Sequence, residues 1–107
     1  MNNKYESEIN FKINKNIIIK DYKNKIIELS KNLKISGFRK GFIPQNIIEH
    51  KFGISIKNSI INKYLKEKII NYVKSNNIKI LDYPKIKNKL EDEENYIFII
   101  ELYYNLL

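Results

Sequence analysis

The 107-residue chain contains no cysteine, so disulfides and thiolate metal sites are excluded. Alanine, threonine and tryptophan are also absent, and there are only three glycines and two prolines. No apolar run approaches the ~18 residues that a membrane-spanning helix needs. Met1–Ile13 alternates polar with apolar residues instead of forming the apolar core of a signal peptide. These absences point to a soluble cytoplasmic protein with no membrane partner. One compact domain fits the length, and a chain this size buries roughly 60 to 70 % of its unfolded surface, enough for a modest core.

What is present is skewed. Ile (23), Lys (19) and Asn (16) supply more than half the chain, and with Tyr and Phe they share A/T-rich codons. The skew is read as genomic bias. Against it the exceptions become informative: Gly37, Gly41 and Gly53 all fall within one 17-residue stretch. Arg39, Gln45 and His50, each the only one of its kind, lie there too, with Pro44. The charge is uneven as well. Of the net +8, residues 31–66 hold +7, with Glu49 as their one acid, while residues 67–107 sum to −1. A basic middle beside a near-neutral remainder reads as a footprint for a polyanion, most plausibly nucleic acid. A lysine-rich surface forced by codon bias is the plainer alternative.

Periodicity sets the expected elements. Glu8–Ile13 alternates as a half-buried strand. Asn16 reads as a helix N-cap, and Ile18, Tyr22, Ile26, Leu29 and Leu33 then form one apolar face. Ile35-Ser36-Gly37 ends that helix and residues 37–43 form a loop. Pro44 suits the first turn of a short helix carrying Ile47, Ile48 and Phe52, which Gly53 stops. A longer helix is expected from about Ser55 to Lys74, ended by Asn76-Asn77. Pro84 marks a strand start, and Lys85–Leu90 and Tyr96–Tyr104 read as a hairpin around the solvated acidic turn 91–95. Tyr96, Phe98, Ile100, Leu102 and Tyr104 share one face of the second strand. The fold class is α+β, one domain over residues 1–107: a small antiparallel sheet with a protruding helix–loop–helix arm.

The segment Ser36–Pro44 carries the candidate site. Two glycines four apart permit positive φ and tight reversal, so the residues between them project. The tip then presents Phe38 beside Arg39 and Lys40. An exposed Phe suits a partner that buries it. The planar fork of arginine matches carboxylate or phosphate bidentately, as lysine cannot. A Phe38 folded back into the core is the competing reading. Lys34 and Lys51 flank the tip as candidate RNA contacts.

Gly37-Phe38-Arg39-Lys40-Gly41-Phe42-Ile43-Pro44, followed by Ile47-Ile48 and Phe52-Gly53, resembles the ribosome-binding signature of bacterial trigger factor. The flanking strand and helix before it, and the long helix and strand pair after it, fit that family's N-terminal domain. The resemblance implies docking beside the polypeptide exit tunnel, with a ribosomal protein of the exit rim and nearby ribosomal RNA as partners. Nascent polypeptides would be the clients, and protein folding and transport the setting. Gly37, Phe38, Arg39, Lys40, Gly41 and Pro44 would be the ribosome-binding residues. By analogy Arg39 pairs with an acidic side chain, Phe38 fills an apolar contact and Lys40 faces RNA or carboxylate. No cofactor and no metal are implied, and a weak homodimer is left open.

The chain departs from the family pattern in three places. Phe42 stands where the family usually has Lys, a loss to be offset by apolar contact or by Lys51. The first strand looks shortened, with only eight residues before Ile9. The chain also stops where the family continues into its prolyl isomerase and C-terminal substrate-binding domains. Both domains are therefore expected to be absent and no enzyme activity is expected, although a family-level peptidyl-prolyl isomerase label could be inherited.

A free-standing basic RNA-binding protein is the alternative. The Gly-x-x-x-Gly tip is one residue longer than the KH-domain clamp and lacks its flanks. No Gly-Lys-Ser/Thr follows to make a phosphate loop. His50 has no catalytic neighbours in sequence and reads as a helix-end residue.

Overall fold

The computed structural model describes residues 4–107. It contains β1 (Lys4–Asn14), α1 (Lys15–Asn32), α2 (Gln45–Ser75), β2 (Ile78–Ile80), β3 (Lys85–Glu91) and β4 (Asn95–Leu106). The architecture is α+β, with one four-stranded antiparallel sheet and two helices. Residues up to Lys15 together with Lys63–Leu107 form one compact unit, and Asn16–Asn62 form another.

The first unit is built around β4. β1 pairs along its full length, from Lys4↔Asn105 to Asn14↔Asn95. On the other side of β4, β3 takes the first half (Lys85↔Glu101 to Glu91↔Tyr96) and β2 the last three residues. Strict alternation puts Phe11 and Ile13 on one face with Phe98, Ile100 and Leu102, and all five are buried. From α2, Tyr72 meets Phe11 of this face edge to face at 5.8 Å, and Leu65 of the same helix is buried. Tyr104, on the same face, stacks on Tyr5 and shares a 3.0 Å hydrogen bond with the Ser7 hydroxyl. β3 shifts register between Ile86 and Asn88, and Lys87 at that irregularity pairs with Glu101 at 3.2 Å. α2 ends as expected. Asn77 takes φ +50°, a left-handed cap that asparagine tolerates, and the Asn76 N–H and side-chain amide both donate to the Tyr72 carbonyl.

The hairpin turn is more ordered than a merely solvated acidic loop. Oδ1 of Asp92 accepts from the backbone N–H of Asn95 (2.7 Å) and of Glu94 (2.9 Å). Those two bonds hold the Asp92 carboxyl below its ordinary pKa of 3.8. Lys15 donates its backbone N–H to Glu94, pairs with Glu91 at 2.6 Å and lies over the Tyr96 ring. The hydrogen bond to Glu91 raises the Lys15 pKa above 10.5, against a smaller opposing effect of burial.

The second unit joins α1 to the N-terminal half of α2. Ile26, Ile43, Ile48 and Ile56 are its buried cluster, with Tyr22, Leu29, Leu33, Ile35, Ile47 and Ile60 packed around them. The apolar face expected for α1 is the face that packs.

Several element limits differ from the sequence reading. α1 begins at Lys15, so its flanking position is Asn14, not Asn16, and it stops at Asn32, before Leu33, instead of running on to Ile35-Ser36-Gly37. β1 starts by Lys4, so the first strand is not confined to Glu8–Ile13, and β4 runs on to Leu106. β2 was not foreseen. Above all, Gly53 stops nothing: α2 is one continuous 31-residue helix. A Cβ built on Gly53 would come within 2.8 Å of the Tyr22 hydroxyl. This glycine therefore serves close approach between α1 and α2 and ends no helix.

Candidate functional site

Between Asn32 and Gln45 the backbone makes two β-turns in tandem. The Phe38 N–H donates to the Ile35 carbonyl at 3.1 Å, closing Ile35–Phe38, and the Phe42 N–H donates to the Arg39 carbonyl at 3.0 Å, closing Arg39–Phe42. Gly37 (φ +90°) and Gly41 (φ +87°) each occupy the third position of their turn. Asn77 is the one non-glycine residue with positive φ among the described residues, so Ser36 and Lys40 at the second positions have negative φ. Both turns are therefore of type II, which requires positive φ at the third residue. The two glycines are set by turn chemistry.

The loop is anchored at both ends, with Ile35 packed against the isoleucine cluster where the first turn begins. Ile43, 3 % exposed, inserts into the cluster with Ile26, Ile48 and Ile56. Pro44 sits just outside α2, where its carbonyl accepts from the N–H groups of Ile47 (3.1 Å) and Ile48 (3.4 Å). It thus occupies the N-cap position, one residue before the expected first turn. Sequence reasoning missed Ile43. Its signal was available as an apolar residue directly before the helix start, where a staple contact is common.

Phe38 is 38 % exposed and does not fold into the core. Arg39, Lys40, Lys34 and Lys51 are all exposed, and none of them is held in an ion pair among the described residues. Lys51 lines a shallow groove along α2 with Ser55, Asn58 and Asn62, and no acid lines it. His50 borders the same groove. The second unit carries nine cations against three acids, +6 of the total +8. Phe42 is the more prominent aromatic at 69 % exposure, and the Arg39 guanidinium lies over its ring at 5.0 Å. Sequence reasoning noted Phe42 only as a departure from a family pattern.

Among the described residues no His, Asp or Glu side chains gather in a group of three that could hold a metal. No described helix is long and apolar enough to cross a membrane. What the tip offers is planar, cationic and aromatic recognition chemistry.

The family model for the bacterial trigger factor protein matches residues 1–105. The chain belongs to the bacterial trigger factor family. The trigger factor of Rickettsia bellii (strain OSU 85-389) is 37 % identical over 75 residues, 70 % of this chain and 17 % of that protein. That of Rickettsia canadensis (strain McKiel) is 36 % identical over 73 residues, 68 % of this chain and 16 % of its own length. A solved structure of the trigger factor chaperone, described for promiscuous substrate recognition in folding and assembly activities, superposes with a TM-score of 0.59. It is 20 % identical, and the match covers 91 % of this chain and 23 % of that one, so it speaks to the fold. The chain thus spans about a sixth of the length of these Rickettsia trigger factors, and what matches is the trigger factor N-terminal domain.

Proposed function

We propose that this chain is a cytoplasmic, ribosome-docking chaperone module, a single ribosome-binding domain that attaches beside the polypeptide exit tunnel and assists nascent chains. The observation that carries the reading is the tip: two glycine-set turns hold Arg39 and Lys40 exposed, beside two accessible aromatic rings. Gly37 and Gly41 shape the loop, Pro44 opens the helix behind it, and Phe38 supplies an apolar contact. Arg39 pairs with a carboxylate of a protein at the exit rim. Lys40, with Lys34 and Lys51 behind it, faces carboxylate or ribosomal RNA, in keeping with the +6 charge of this unit. No isomerase chemistry is assigned to these residues.

Co-sedimentation and equilibrium titration with purified ribosomes test the reading. Arg39→Ala is expected to weaken binding about 30-fold or more, since stranding one member of a desolvated charge pair costs about 2 to 5 kcal/mol. Arg39→Lys should be nearly as damaging, because a point charge loses the second parallel hydrogen bond. A generic RNA contact counts charge, so free RNA should not distinguish Lys from Arg. If Arg39→Lys binds ribosomes like the wild type, Arg39 is merely a cation, and a basic RNA-binding protein becomes the better description.

A further inference from the structure

We infer that Phe42 is a positioning residue for Arg39, and that its ring holds the guanidinium ready for a planar anionic partner. The inference rests on the ribosome-docking reading and says how that site is preorganised.

The geometry follows from the chain. Ile43 is drawn into the isoleucine cluster, which turns its neighbour Phe42 outward. The second turn closes through the bond from the Phe42 N–H to the Arg39 carbonyl, so the first and fourth residues of one tight turn carry the cation and the ring. Gly41, at φ +87°, permits that closure. The guanidinium then lies 5.0 Å from the ring centroid, within the range of a cation–π contact. The Phe42 ring is 69 % exposed, and the Arg39 guanidinium is the group it is shown to meet. A free arginine side chain samples many rotamers and loses that freedom when it pairs. A guanidinium already held over a ring has lost part of it before the partner arrives. A bidentate carboxylate needs only two of the five N–H donors of the fork, so the ring contact leaves donors for it. By its resemblance the family usually places a lysine at this position. This chain then exchanges a second charge for a ring that orients the first.

The test uses the intact chain, purified ribosomes and three substitutions. Phe42→Leu keeps an apolar side chain and removes the ring, Phe42→Tyr keeps the ring, and Arg39→Ala removes the group being positioned. Phe42→Leu should weaken ribosome binding about threefold to tenfold, or roughly 0.6 to 1.4 kcal/mol at 1.4 kcal/mol per tenfold. Phe42→Tyr should stay within about twofold of the wild type. In an Arg39→Ala background, Phe42→Leu should cost almost nothing more, because the ring then has nothing to hold. In the free protein the Arg39 δ-methylene protons should show an upfield ring-current shift by NMR, lost in Phe42→Leu and kept in Phe42→Tyr. The coupling to Arg39 does not follow if Phe42 is only a structural or apolar contact. An equal loss from Phe42→Leu with and without Arg39, or the absence of the ring-current shift, overturns the inference. If Arg39→Ala weakens binding while Phe42→Leu does not, this inference alone fails. If Arg39→Ala binds ribosomes like the wild type, the docking reading fails and carries this one with it.

Discussion

Gly53→Ala should destabilise the protein, although it places the best helix former in the interior of a helix. Replacing a helical glycine by alanine normally gains about 1 kcal/mol. At Gly53 the new methyl group would meet the Tyr22 hydroxyl at 2.8 Å, so the ring must move by a few tenths of an ångström or more. Tyr22 packs against the isoleucine cluster, which limits that movement, and overpacking of this kind costs about 1 to 3 kcal/mol. The net expectation is a loss of about 1 kcal/mol. Tyr22→Phe removes the obstructing oxygen, leaving ring carbons at 3.8 Å and 4.0 Å in ordinary contact. In that background Gly53→Ala should therefore stabilise by about 1 kcal/mol, a coupling of about 2 kcal/mol between the two sites. Urea denaturation of the four proteins, followed by far-ultraviolet circular dichroism, measures the cycle. A Gly53→Ala change that stabilises equally in both backgrounds would refute the close approach of Tyr22. One that destabilises equally in both would assign the glycine to some other constraint.

The loop and the hairpin give two further expectations. Gly41→Ala places a Cβ at φ +87° and should cost about 1 to 2 kcal/mol, whereas Gly41→Asn should cost less, because asparagine visits that region more readily. Thermal melts that rank Ala as no worse than Asn would contradict the type II turn. Asp92 has a folded pKa below 3.8, so its contribution to stability is present above that value and is lost as pH falls through the folded pKa. Asp92→Asn should flatten the acid limb of a pH–stability curve and leave the alkaline side unchanged, as urea midpoints measured across acidic and neutral buffers would show.

Periodic features were legible in the sequence. The face of α1 carrying Ile18, Tyr22, Ile26 and Leu29, continued by Leu33 just past the end of the helix, could be read because its three- and four-residue steps repeat over several turns. The core face of β4 could be read because alternation continues from Tyr96 to Tyr104. Gly53 was misread because a glycine after an aromatic looks like a C-cap. The corrective signal was present in Ile48, Phe52, Ile56 and Ile60, whose four-residue steps run straight through it. β2 has three residues, too few for any period to register. At the tip, Gly37 and Gly41 announced positive φ, but the pairing of Arg39 with Phe42 depends on how one turn closes. No pattern of residue types along the chain encodes that distance.

The tandem turns make the tip portable. Each closes on a hydrogen bond between residues three apart, and the segment is pinned at its two ends by Ile35 and Ile43. Its shape is therefore set by near neighbours and needs little from the rest of the chain. Residues 35–43, set between two other helix ends with an apolar socket for the two isoleucines, should reproduce the contact between arginine and phenylalanine. Such a graft would be a compact competitor for whatever surface the tip engages, and it would isolate the contribution of the loop from that of the helices that carry it.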